Sequence, residues 1–383
     1  MSAAAQTSAP DLARVAWAQR AKWVALALLL VVLVAFPFMV STFGVNIATQ
    51  ALIFGLFALS INMLAGFGGM VTLGHAGLLG VAGYGVAILS TKSGWSLGTS
   101  IAGGLAVCVV ASAFFGVLVA RVRGTYFVMV TLAVGMVIWG LAQRWQELTG
   151  GENGLGDVPR PSFTTEYWHY YYLTLAVVLV GTVILRRILY APFGLTLRGV
   201  RDAEDRLAPL GFNVAVHKLV AFTISGFFAG VAGVLLAMYN NFIGPSDVFF
   251  LASAEGLLMS ILGGVSTVSG AYVGATIVVI IQNWVSSYVA RWQTLLGLVF
   301  VLVVLFAPDG LVGAWNRLVW NPLLRRFRAQ AGQPQVAPST AGMTPVGGKA
   351  VAATSADTGA PETSGQDPSE ETQPSGGQRA GTT

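Results

Sequence analysis

The chain has 383 residues, 55% of them hydrophobic and only 10% charged, with a formal net charge of +5. That balance makes burial in lipid the economical reading and indicates an all-α, polytopic membrane protein. A charge this small and confined to loops argues against nucleic-acid binding, the single cysteine excludes an intramolecular disulfide framework, and three histidines without paired spacing argue against a zinc site.

Residues 1–21 form a polar, then basic, N-terminal segment that is expected to stay in the cytosol. The apolar run 23–40 exceeds a signal-peptide core and lacks a small-residue cleavage site, so it is taken as a retained span. Further spans are expected near 45–64, from there to Ser90 after a glycine-rich interruption, and at 99–120, 125–145, 170–185, 219–238, 252–262, 271–289 and 292–307. That makes about ten spans of roughly twenty residues each within a permease domain over 22–315. The segment 316–383 begins basic and continues rich in Ala, Gly, Ser, Thr, Pro and Gln without apolar periodicity, the composition of a disordered tail.

The basic residues orient this topology. With both termini inside, cytosolic segments near the spans hold 15 Lys and Arg and external segments hold four: Lys92, Arg144, Arg160 and Arg291. Such a split favours this orientation over its inverse. It also places residues 190–218 in the cytosol. This stretch holds Arg198, Arg201, Asp202, Glu204, Asp205, Arg206, His217 and Lys218, an island of charge between apolar segments. Ala203, Leu207, Leu210 and Val214 recur at helical steps and predict a short amphipathic helix, with Gly211 and Asn213 as residues that end one. A helix so placed offers a grip for a soluble motor; a solvated linker is the plainer reading.

Two glycine-rich segments on the cytosolic side lack charge. Residues 68–76 (GGMVTLGHA) overlay 263–271 (GGVSTVSGA) with four identities in nine, each between an inward-going and an outward-going span. The match suggests a parallel internal repeat with two helix breaks. Broken backbone inside a membrane is tolerated where protein or a water-filled cavity covers it, and a substrate pathway would supply that place. Close helix packing explains such glycines equally well. Gly68, Gly69, Gly263 and Gly264, together with the in-span polar residues Asn62, His75 and Glu255, are the candidate pathway residues. His75 could instead be satisfied by a neighbouring group, and Glu255 could be a first-turn acid favoured by its helix dipole. No acid–base–nucleophile constellation suggests an enzyme, and GxxxxGK[ST] is absent, so ATP hydrolysis by that route would need another subunit.

Several blocks in order, LSINMLAGFGGMVTLGHAGLLGVAGYG, RGTYFVMVTLAVGMVIWGLAQRW, LTGGENGL, APFGLTLRGVRDAEDRLAPLGFNVAVHK, ILGGVSTVSGAYVGA and FAPDGLVG, resemble the permeases of branched-chain amino acid ABC importers of the LivM type. The resemblance covers about residues 48–313. It implies a multi-pass bacterial inner-membrane subunit without a cofactor, paired with a LivH-like permease, driven by two cytosolic ABC ATPases and loaded by a periplasmic substrate-binding protein. By position, Arg198, Arg201, Asp202, Glu204 and Gly211 fall in that family's ATPase-coupling loop, although Pro209 departs from the pattern. Relatives carry urea, short amides or aromatic acids. A stand-alone secondary transporter or channel is the alternative of a different class, with Glu255 almost its sole intramembrane acid.

Overall fold

The computed structural model describes residues 30–285 except 165 and 208, together with 28, 288, 294, 297, 298, 301, 305 and 310–315. The expected first span is therefore described mainly in its second half, and the N-terminal segment, most of the tenth span and the tail lie outside the described residues. The chain forms α1 (Leu30–Met39), α2 (Thr42–Asn62), α3 (His75–Ala87), α4 (Leu97–Val119), α5 (Thr125–Arg144), α6 (Gln146–Thr149) and α7 (Tyr167–Tyr190). It continues through α8 (Pro192–Leu207), α9 (Val214–Asn240), α10 (Pro245–Val248), α11 (Phe250–Gly263), α12 (Val268–Ile280) and α13 (Gly310–Trp315). Single π-turns extend α2 to Phe67, α3 to Lys92 and α12 to Val285.

Among the described residues, five helices are long and apolar enough to cross a membrane: α2 with its π-turn, α4, α5, α7 and α9. They correspond to the expected second, fourth, fifth, sixth and seventh spans. The third corresponds to the shorter α3. The eighth and ninth are the arms of a pair, α11 and α12, bent by 119°, which adds a sixth crossing if counted as one.

Packing separates the helices into a centre and a rim. α2 and α9 are mostly buried against α3, α12 and one another, with Phe57, Leu59, Ile61, Phe222, Ala229 and Ala232 in the core. α4, α5 and α7 turn Val110, Phe114, Met129, Val137, Val180 and Val183 outward. An apolar exterior around an apolar core is unstable in water and suits hydrocarbon.

The arms of the bent pair touch backbone to backbone. A Cβ on Gly263 would collide with the Gly270 carbonyl, and one on Gly274 would lie 2.9 Å from the Met259 carbonyl carbon. The turn between them needs φ of +131° at Gly264, a value that disfavours any side chain. Here close packing and helix breaking occur at the same glycines.

At one end of the bundle lie Arg121, Arg123, Arg186, Arg187, α8 and Lys218; this is the basic end. The opposite end is closed by the loops around α6 and α10. Leu155 and Gly156 pair antiparallel with Ile243 and Phe242, and Arg160 donates from Nε to the Met238 carbonyl at 2.8 Å and from Nη2 to the Tyr239 carbonyl.

Candidate coupling and translocation sites

α8 differs from its expected form. It begins at Pro192, whose missing N–H costs nothing in a first helical turn, and it buries Gly194, Leu197 and Val200. The stripe Ala203, Leu207, Leu210 and Val214 does not form one face, because Ala203 adopts φ −161° and ψ 74° and breaks the helix there, while Leu210 is 71% exposed. The interruption thus comes before Pro209. Gly211, at φ +85°, closes an exposed turn after Leu207, and Asn213 starts α9 instead of ending α8, its Oδ1 accepting the Val216 N–H at 3.2 Å.

Arg198, Arg201 and Glu204 reach from α8 to the bundle, whereas Asp202, Asp205 and Arg206 are exposed. Arg201 donates from Nη1 to the Gly66 carbonyl at 2.8 Å and to Ser266 Oγ at 3.1 Å, while its Nε pairs with Asp202 at 3.0 Å. Ser266 Oγ also donates to the Gly66 carbonyl, at 2.7 Å. Asn62, fully buried, completes the junction: its Oδ1 accepts the Ser266 N–H and its Nδ2 donates to the Thr267 carbonyl, both at 2.9 Å. A terminating helix leaves carbonyls and amides unpaired, and those next to the two glycine segments are satisfied largely by each other and by Arg201. Arg198 adds a second tie, its guanidinium 5.0 Å from the Phe67 ring centre and 5.4 Å from that of Tyr190.

Glu204 lies between two cations, 2.8 Å from Lys218 Nζ and 2.9 Å from Arg123 Nε, and Asp205 meets Arg123 Nη1 at 2.6 Å. The Lys218 side chain is only 3% exposed, so Glu204 neutralises a buried charge. A cavity of about 230 Å³ adjoins this cluster, lined by Gly68, Gly69, Arg123, Arg201, Glu204 and Lys218 among others. Gly69, at φ +67°, lies against the Arg201 side chain, where a Cβ would have no room.

His75 lies deeper, at the first residue of α3, and is fully buried. Ser225 Oγ gives its one proton to the Ser60 carbonyl at 2.6 Å, so His75 Nε2 must be the donor in its 2.7 Å contact with Ser225. Nδ1 then accepts from Thr72 Oγ1 at 3.0 Å. Both ring nitrogens are thereby used in the neutral imidazole, whose partners are hydroxyls, and His75 lines neither cavity described here. It ties α2, α3 and α9 together.

A larger cavity of about 390 Å³ lies between α2, α3, α5, α9, α10 and α11. Phe54, Phe57, Leu79, Trp139 and Leu236 form apolar walls, and Glu255, Asp247 and Ser246 supply polar groups. Glu255 Oε2 accepts from Gln282 Nε2 at 3.0 Å. Asp247 Oδ2 accepts the Gly244 N–H at 2.9 Å, yet burial outweighs that bond and pushes its carboxyl above the usual aspartate range. Of the candidate pathway residues, only Glu255 borders this cavity. Gly68 and Gly69 border the smaller one, while Asn62, Gly263 and Gly264 lie at the junction of the two segments. Among the described residues no cluster of His, Cys, Asp and Glu could hold a metal.

Residues 43–307 match the family model described as branched-chain amino acid transport system / permease component. The chain belongs to this permease family. It is 30% identical over 311 residues to the high-affinity branched-chain amino acid transport system permease protein LivM of Salmonella typhimurium, covering 74% of this chain and 73% of that protein. It is also 24% identical over 300 residues to LivH of Escherichia coli, covering 70% of this chain and 94% of LivH. A probable LivM of Methanocaldococcus jannaschii is 23% identical over 216 residues, 50% of this chain and 61% of that protein. No solved structure matches significantly.

The matched region of the permease contains all the candidate residues, and the basic N-terminal segment and the tail fall outside it. The sequence pointed to Arg201, Glu204 and Asn62 but missed their partners Ser266, Lys218 and Arg123. Lys218 carried one signal, as the last charge of the island directly before an apolar run. Nothing in the sequence distinguished Ser225 from other in-span serines.

Proposed function

We propose that this permease is one of two membrane subunits of an ABC importer in the bacterial inner membrane, carrying branched-chain or related amino acids inward. Its pair would be a LivH-like permease, its motor two cytosolic ABC ATPases, and its supplier a periplasmic binding protein docked on the loops opposite the basic end. In this reading both termini are cytosolic, ten spans are completed by the segments before α2 and after α12, and the two glycine segments belong to a parallel repeat. The observation that carries the reading is the Arg201 junction: one side chain of the charged helix holds Gly66 and Ser266, which flank the breaks in two different helix pairs. Movement of α8 under ATP closure would reach both breaks together and rock the bundle between outward- and inward-open forms.

Glu204 and Arg198 would fix α8 to the bundle and Asp202 would hold the Arg201 side chain in place, while the exposed turn with Leu210, Gly211 and Phe212 would meet the motor. Co-expression with its partners tests the assignment. Purification with ATPase subunits, and ATP-dependent leucine uptake in proteoliposomes, are expected; transport by the chain alone without ATP would instead establish a secondary transporter with Glu255 as its acid.

A further inference from the structure

The 390 Å³ cavity has a recognition chemistry of its own. Its walls are aromatic and aliphatic, two carboxylates border it, and among the described residues no lysine, arginine or histidine does. Asp247 is engaged in closing the first turn of α10 through the Gly244 N–H. Glu255 is engaged on one oxygen only: Oε2 accepts from Gln282, and Oε1 has no hydrogen-bond partner among the described residues. An ionised carboxylate among apolar side chains in a membrane protein is costly unless a cation meets it or a proton neutralises it, and a cationic ligand would hold it ionised. The volume falls near the lower end of pockets that hold small molecules, on the order of 300–1,000 Å³.

Resting on the transport reading above, we propose that this cavity binds substrate within the single chain. The ammonium group of an aliphatic amino acid pairs with Glu255, and its branched side chain lies against Phe54, Phe57, Leu79 and Trp139. With no cation on the wall, the ammonium and the hydrocarbon are recognised and the substrate carboxylate is not. An anionic aromatic acid would face two carboxylates, and urea would leave the apolar walls unfilled. A site of this kind lies inside one permease and needs no residue from its pair.

The test uses the purified assembly of both permeases and ATPases without binding protein, and measures tritiated leucine by scintillation proximity. Saturable binding is expected, displaced by 3-methylbutylamine, which keeps the ammonium, and not by 4-methyl-2-oxopentanoate, which lacks it. Glu255→Gln should weaken binding at least ten-fold, equivalent to about 1.4 kcal/mol, and Ala252→Trp should abolish it by filling the cavity, with both assemblies remaining monodisperse. The competitor pair needs no variant, so a folding failure leaves the test intact. Displacement by the oxo acid as effective as by leucine, or unchanged binding in both variants, overturns the proposal. With the binding protein then added, uptake of leucine by a wild-type assembly that by itself binds none of it overturns this site and leaves the transport reading standing; an assembly that even then takes up no amino acid overturns that reading instead.

Discussion

Replacing Arg201 by alanine separates α8 from both helix breaks at once. The lost contacts are the charged hydrogen bonds to the Gly66 carbonyl at 2.8 Å and to Ser266 Oγ at 3.1 Å. A hydrogen bond to a charged group contributes roughly 1.5–3 kcal/mol. The lower figure applies, because the side chain is 40% exposed and Ser266 still satisfies the Gly66 carbonyl. A loss of about 1.5–2 kcal/mol in the tie between helix and bundle corresponds to roughly a ten- to thirty-fold change in an equilibrium. In proteoliposomes holding the complete assembly, leucine taken up per ATP hydrolysed should fall by about ten-fold, with hydrolysis itself maintained. Arg201→Lys should recover part of the loss, since an ammonium can meet the Gly66 carbonyl and Ser266 Oγ from one nitrogen as Nη1 does but forgoes the Nε pairing with Asp202 that holds the side chain in place. If the uptake-to-hydrolysis ratio of Arg201→Ala stays within about two-fold of the unaltered protein, the junction does not transmit motion.

Glu204→Gln strands the buried Lys218 ammonium and should cost roughly 3 kcal/mol of stability, whereas Glu204→Leu with Lys218→Met should cost much less; thermal unfolding in detergent compares them. For that reason Glu204 is a poor site for a pure uncoupling variant, and the double replacement of Arg201 and Glu204 should lower stability as well as coupling. Gly69→Ala should reproduce much of the Arg201 defect, because positive φ and a Cβ against that side chain would displace it, and Ser266→Ala should be milder in the same uptake assay. Asp247 gives a pH test. Its carboxyl is raised by burial, so its ionised form destabilises the fold at neutral pH, and that penalty is relieved as pH falls through the raised value toward the ordinary aspartate range. Asp247→Asn should remove this contribution to the pH dependence of the melting temperature, and an unchanged slope would show that the buried carboxyl is not its source.

The long apolar elements were legible because nearly every residue in them is apolar, whichever way it faces. α2, α4, α5, α7 and α9 begin and end within a few residues of the expected spans, apart from the extra turns at the ends of α7 and α9. α8 was legible as a charged island holding a short helix but not in its extent, since Pro192 and Gly194 suggest a loop until the packing of Leu197 and Val200 is seen. The kink at Ala203 has no sequence mark, because alanine favours helix; it falls between Arg201 and Glu204, whose side chains are tied to different partners. Likewise, the glycines of 263–264 and 68–69 signalled interruption, yet their meeting through Asn62 and Ser266 joins residues some 200 positions apart, and one sequence contains no record of such pairing.

Sidedness of α8 tests the central claim most directly. Cys108 is buried, so Arg206→Cys supplies an exposed thiol on an otherwise silent background. A membrane-impermeant maleimide should label it in inside-out vesicles and not in right-side-out cells, and bound ATPase subunits should slow the reaction. Labelling from the external face would contradict the account.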